Sequence, residues 1–227
     1  MKTLFVPCEL DWMDHYADPV ERAADKWVHL VGLGLAVIGG VFLFTSSFVV
    51  GGMSRATAIA LYAVCLISML AASTAYNLSH PCKHRPLLRR LDEAAIFLMI
   101  AGSYTPFTVL KFDGWVSVAA TTAVWSLALA GVAMKLFLPI LSDRFWTAVY
   151  AGFGWLALLM IKPLIDGVGA TGLFWLAAGG LIYTIGTLFF LNPRLRFRRA
   201  VWHACVVAGA ATHYYAVLTF VGVAPCQ

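Results

Sequence analysis

Ser73, Asn77 and His80 stand in the stretch "STAYNLSHPCKHRP", residues 73–86, where a long apolar run gives way to a basic loop. Ser73 and Asn77 are four residues apart, so one helix face carries both, with His80 three residues further on. Asp92 and Glu93 follow the loop, while Arg199 and His203, again four apart, open the last apolar run. Near the N-terminus Glu21, Asp25 and His29 repeat at four-residue intervals on one helix face. These are the residue types of a metal or catalytic site. The alternative is a set of helix ends dissolving into water.

Which of the two holds depends on the elements that carry them. Of 227 residues, 61% are hydrophobic and 12% charged, and the mean hydropathy is +0.83. A soluble domain carries about twice that charged fraction, so the composition is that of an integral membrane protein. The formal charge of +5 is spread along the chain in a way that argues against nucleic acid as a partner. The cysteines (Cys8, Cys65, Cys82, Cys205, Cys226) are odd in number and scattered, which fits neither a disulfide framework nor a zinc ribbon. The N-terminus, with "CELDWMDHYADPVE", is acidic and interrupted, so the expectation is no cleaved signal peptide and a first span that doubles as the insertion signal.

Apolar runs of roughly twenty residues, the length needed to cross about 30 Å of hydrocarbon, occur seven times. They cover about Trp27–Val49, Thr57–Leu78, Leu91–Leu110, Trp115–Phe137, Trp146–Leu164, Thr171–Leu191 and Ala200–Val223. Gly51-Gly52, the "FDG" turn and Asn192-Pro193 punctuate them, and Lys162-Pro163 interrupts the fifth. Thirteen of the 16 Lys and Arg fall in the N-terminal segment and in the loops after spans two, four and six; Arg55, Lys111 and Lys162 fall on the other side. The positive-inside rule then predicts an all-α, seven-transmembrane helix bundle with a cytoplasmic N-terminus and the C-terminus outside. The bundle is one domain over residues 1–227, with a short cytoplasmic N-terminal segment, residues 1–18, and no linker or soluble domain.

In that topology Ser73, Asn77, Asp92, Arg199, His203 and His29 share one layer near the cytoplasmic face. Ionisable groups within a span are costly and usually face the interior, where they serve function. Several have structural readings. "DPVE" fits a helix start with Asp18 as cap, Pro19 first in the helix and Glu21 closing a capping box. Asp92 and Glu93 sit in the first turn of span three, where a carboxylate complements the helix dipole; we assign Glu93 to that role. His80 precedes Pro81 and ends its helix toward water. "HPCKH" has metal-capable atoms in no standard spacing and reads as a solvated loop. His213, about 15 Å deeper than His203, reads as a hydrogen-bonded packing group. Pro106 should kink span three and free the carbonyl of Gly102.

"ERAADKWVH", "STAYN", "RRLDEAAIFLMIAGSYTPF" and "AVWHACVVAGAATHYYAV" resemble the hemolysin III family of bacterial membrane proteins. That family is related to the progestin and adipoQ receptors and, more distantly, to the alkaline ceramidases. The resemblance runs from Glu21 to about Val217 and implies a seven-helix fold in the bacterial inner (plasma) membrane. In the wider superfamily it implies a zinc held by one histidine at the end of span two and a histidine pair on span seven, completed by a serine and an aspartate. Ser73 and Asp92 match the serine and aspartate, and His203 matches the second of the pair. Asn77 and Arg199 stand where the other two histidines belong. An amide is a poor zinc ligand and a guanidinium stays protonated, so no cofactor is expected; Asp92, His203 and His80 are the metal candidates that remain. An Asp92–Arg199 ion pair is the expected replacement for the cation.

Three functions compete. The first is a zinc-dependent lipid amide hydrolase, ceramidase-like, with Ser73, Asp92 and His203 as its catalytic candidates; a metal-bound water needs the missing cation to lower its pKa. The second is a non-catalytic protein that accommodates or senses membrane lipids and influences membrane state. The third is the pore-forming cytolysin that the family's name implies. The second is the expectation, with membrane lipids as partners. "GLGLAVIGG" on span one offers small residues for helix packing, and the sequence fixes no oligomeric state.

Overall fold

In the computed structural model the described residues are 16–80, 83–137 and 142–224, and every regular element among them is helical. The cysteines at positions 8, 82 and 226 and most of the N-terminal segment lie outside them, as does the centre of "HPCKH". The elements are α1 (Pro19–Leu78), α2 (Arg85–Leu110), α3 (Gly114–Phe137), α4 (Asp143–Gly154), a 3-10 turn (Trp155–Met160), α5 (Ile161–Phe190), α6 (Arg198–Val217) and a π turn (Leu218–Gly222). Five continuous helical stretches are long and apolar enough to cross a membrane.

The two longest are folded back at glycine. α1 has 60 residues and would reach about 90 Å if straight, yet a Cβ on Gly40 would lie 3.4 Å from that of Ala63. The reversal sits at Gly52, whose φ of 66° and ψ of −163° suit a residue without a Cβ. In α5, Gly169 (φ 67°, ψ 178°) does the same, and Trp155 Nε1 donates to Thr184 Oγ1 at 3.1 Å across the turn. Divided at these glycines, the five long helical stretches among the described residues become seven shorter ones.

Local chemistry accounts for the remaining irregularities. Asp18 caps α1, its Oδ1 accepting from the N–H groups of Val20 (2.8 Å) and Glu21 (2.9 Å). The Glu21 N–H, with that of Val20 and the Arg196 guanidinium, holds the Asp18 carboxyl below its ordinary range. Glu21 bonds the N–H of Ala17 at 3.2 Å, one residue before the cap, and the N–H of Phe197 at 3.0 Å. The second bond anchors a non-glycine residue at φ 59° where the chain enters α6. Pro163, lacking an N–H, leaves the turn before it short of a donor. Over Trp155–Met160 the backbone tightens to 3-10, and the Tyr104 hydroxyl braces this turn, accepting from Ala157 N–H (2.8 Å) and donating to Gly154 O (2.7 Å).

The loops gather at two ends. At one, Asp18 meets Arg196, Asn77 meets Arg199 and Arg89 meets Asp143. At the other, the Arg55 guanidinium donates to the carbonyls of Gly222 and Ala224, and Lys111 packs on Gly167. The outer surface is oily, with Val49 at 82% and Leu159 at 83% exposure, as expected of a lipid-facing wall.

Candidate functional site

The first turns of α1 supply Asp25 and His29, its last turns Ser73 and Asn77, α2 supplies Asp92, and α6 supplies Arg199 and His203. Asp25 is fully buried and central. Its Oδ1 lies 2.6 Å from His203 Nδ1, and its Oδ2 accepts the Tyr16 hydroxyl at 2.5 Å. A carboxylate only accepts, so Nδ1 carries the proton of His203 and Nε2 is the ring's acceptor. The His29 ring sits beside it, centroids 4.3 Å apart. His29 Nε2 is 3.4 Å from Asp25 Oδ2, and that buried nitrogen has no hydrogen-bond partner among the described residues. Asp25, His29 and His203 thus form a buried group able to hold a metal ion.

The rest of the expected layer assembles beside this group. Asn77 Nδ2 donates to Ser73 O at 3.0 Å and reaches Ser73 Oγ at 3.4 Å, and Ser73 and Asp92 both line one cavity. Arg199 donates to Asn77 Oδ1 at 3.4 Å. The expected Asp92–Arg199 ion pair is not made: no contact within 4.0 Å joins them. Arg199 enters one turn above His203 on α6, where the nearest acceptor it engages is the amide at the end of α1.

Two further expectations change. α2 begins at Arg85, six residues before the apolar run, so Asp92 and Glu93 lie about two turns inside it rather than at its start. Glu93 does not serve the helix dipole. It pairs with Lys135 Nζ (2.5 Å) and Arg89 Nε (2.9 Å), joining α2 to α3, while Tyr150 of α4 donates to its carbonyl oxygen at 2.9 Å. His80 is exposed just past the end of α1 and is not part of the metal-capable group. His213 packs as expected, its Nε2 donating to Leu176 O at 3.0 Å. The residue missed as a site member is Asp25; its spacing to His29 was the available signal.

A cavity of about 230 Å³ opens on this layer. His29, Ser73, Asp92 and His203 form its polar end, and the remaining wall is mostly apolar, from Met99 and Phe107 to Leu164 and Leu176, with Ser103, Thr184, Thr187 and His213 as further polar side chains. Leu158 and Ile161, which also line it, are 57% and 41% exposed, so the cavity reaches the apolar outer surface beside the 3-10 turn.

The profile of the family described as haemolysin-III related matches residues 21–214. This chain belongs to that family. It is 32% identical over 201 residues to Hemolysin-3 of Bacillus cereus, covering 88% of this chain and 92% of the relative. It is 30% identical over 201 residues to the Hemolysin-3 homolog of Bacillus subtilis (strain 168), covering 88% and 94%. The human monocyte to macrophage differentiation factor is 26% identical over 206 residues, covering 87% and 83%. Membership in the haemolysin-III-related family and the span-length helices identify a membrane protein.

The zinc that the superfamily resemblance implies does not fit its expected positions here. Asn77 has its amide nitrogen committed to Ser73 and its oxygen to Arg199, so the two replaced positions bond to each other.

Proposed function

We propose that this chain is a resident of the bacterial inner (plasma) membrane, crossing it seven times with the N-terminus in the cytoplasm and the C-terminus outside. Within it the bundle accommodates or senses a membrane lipid and thereby influences membrane state. The observation that carries this reading is the apolar cavity closed at one end by His29, Ser73, Asp92 and His203 and reaching the surface at Leu158 and Ile161. Such a shape suits an amphiphile: the polar head finds donors and acceptors, and the acyl chain finds oily walls. Tyr104, by fixing the 3-10 turn, maintains the portal.

Filling the cavity tests this. Purified wild-type protein should retain bound lipid through detergent exchange, and Ala177→Trp, which projects an indole into the cavity, should reduce it at least fivefold while the protein still elutes as a folded species. Equal lipid content in the two would overturn the reading. The span count and orientation have their own test. In a cysteine-free background, Asp113→Cys should react with a membrane-impermeant maleimide added to intact cells, and Lys83→Cys should react only after lysis. The reverse pattern would invert the topology.

The alternative reading is a metal-dependent lipid amide hydrolase, favoured by the proximity of Asp25, His29 and His203. Chelator-sensitive release of fatty acid from ceramide by the purified protein would select it. The cytolytic activity in the names of the Bacillus relatives fits less well, because a conducting pore needs polar lining along its length and the ionisable side chains within the spans gather mainly in one layer, His213 lying deeper.

A further inference from the structure

The group formed by Asp25, His29 and His203 has a feature that internal hydrogen bonding does not explain. Asp25 and His203 satisfy one another, and Tyr16 caps the carboxylate, but His29 Nε2 is buried with no hydrogen-bond partner. A buried imidazole nitrogen left unsatisfied is costly, and this one lies 3.4 Å from Asp25 Oδ2. Too long for a well-formed hydrogen bond, that separation is about the edge of a tetrahedron whose corners lie 2.0–2.1 Å from its centre, the bond lengths of zinc to imidazole and carboxylate. The third donor, His203, is on the same side, within 4.8 Å of both.

We propose that this chain holds a divalent transition-metal ion between Asp25, His29 and His203, a site in which the first helix supplies two of the three ligands. It is distinct from the set implied by the superfamily resemblance, where spans two and seven supply the histidines and the first span none. Two imidazoles and one carboxylate select zinc or another first-row divalent ion over calcium or magnesium, which prefer all-oxygen sites. His29 and His203 also line the cavity, so an open coordination position would face whatever occupies it. Arg199 lies one turn away on α6, and its fixed charge opposes the ion without excluding it.

The site is tested by titrating chelator-stripped protein in detergent micelles with Zn²⁺ and, for its visible absorption, Co²⁺. One Co²⁺ per chain should bind with a tetrahedral spectrum and be displaced by Zn²⁺. His29→Gln and Asp25→Asn should each weaken binding at least tenfold, Asn77→Ala should leave it within twofold, and Arg199→Gln should tighten it. Asp25 is central to the packing, so His29→Gln, which retains a polar side chain of similar reach, decides the matter should Asp25→Asn fail to fold. Absence of stoichiometric binding would overturn the proposal. So would binding that survives His29→Gln but is lost in Asp92→Asn, since that would place the ion among Ser73, Asn77 and Asp92. The readout is metal occupancy, and it stands whether or not the cavity retains lipid.

Discussion

Replacing Glu93 with leucine should destabilise the protein by about 3–5 kcal/mol, the cost of stranding a buried charge. Lys135 is buried near the end of α3, its Nζ 2.5 Å from Glu93 Oε2 and 4.4 Å from the centre of the Trp146 ring. In this dry setting the ammonium depends on Glu93, the one carboxylate it pairs with among the described residues. Arg89, half exposed and also paired with Asp143, has water and a second partner, so its share of the loss is small. The double variant Glu93→Leu/Lys135→Met should regain most of the stability, because an apolar pair of similar volume carries no desolvation cost. Denaturant unfolding in micelles checks both. A loss below 1 kcal/mol in the single variant would mean that the lysine reaches solvent and the cluster does not fasten α2 to α3.

Gly179→Ala should cost about 3 kcal/mol, a methyl group having an effect out of proportion to its size. α5 and α6 approach through glycine on both sides: a Cβ on Gly179 would fall 2.3 Å from His213 Cδ2, and one on Gly209 would fall 2.9 Å from Tyr183. The His213 ring has no room to retreat without leaving the Leu176 carbonyl, so overpacking and a lost hydrogen bond act together. His213→Ala vacates the space, and the Gly179→Ala/His213→Ala double variant should be less destabilised than the sum of the singles. Strict additivity in thermal unfolding would show that the two residues do not share a contact.

Much of the bundle was legible because span length and loop chemistry are local. Gly51-Gly52 closes the first apolar run, and the reversal occurs at Gly52; "DPVE" reads as a helix start, and Asp18 caps it. The beginning of α2 was hidden because polar residues 85–90 extend a helix that hydropathy sees only from Leu91. The layer of polar side chains was legible as depth, since distance along a helix converts to distance across the bilayer. Pairing within the layer was not. Depth says nothing of the direction in which each side chain leaves its helix, so Asp92 and Arg199, equal in depth and opposite in charge, look like partners while Arg199 turns to Asn77. Asp25 stayed outside the expected site for a related reason. Its stacking under His29 is a property of one helix, but its value to the site comes from α6 lying against α1, which no single-helix pattern discloses. The cavity likewise arises from a 3-10 turn held by a tyrosine from another helix.

The central claim, that an acyl chain enters the bundle, is tested most directly by photo-crosslinking a diazirine-bearing fatty acyl lipid to the protein in native membranes and mapping the adducts. Met99 and Leu164 are buried, at 4% and 3% exposure, and both line the cavity, so bilayer lipid reaches them only from within. Adducts on the peptides carrying those residues, lost in Ala177→Trp, are the predicted result. Adducts confined to outward-facing positions such as Ile38 and Val49 would contradict it.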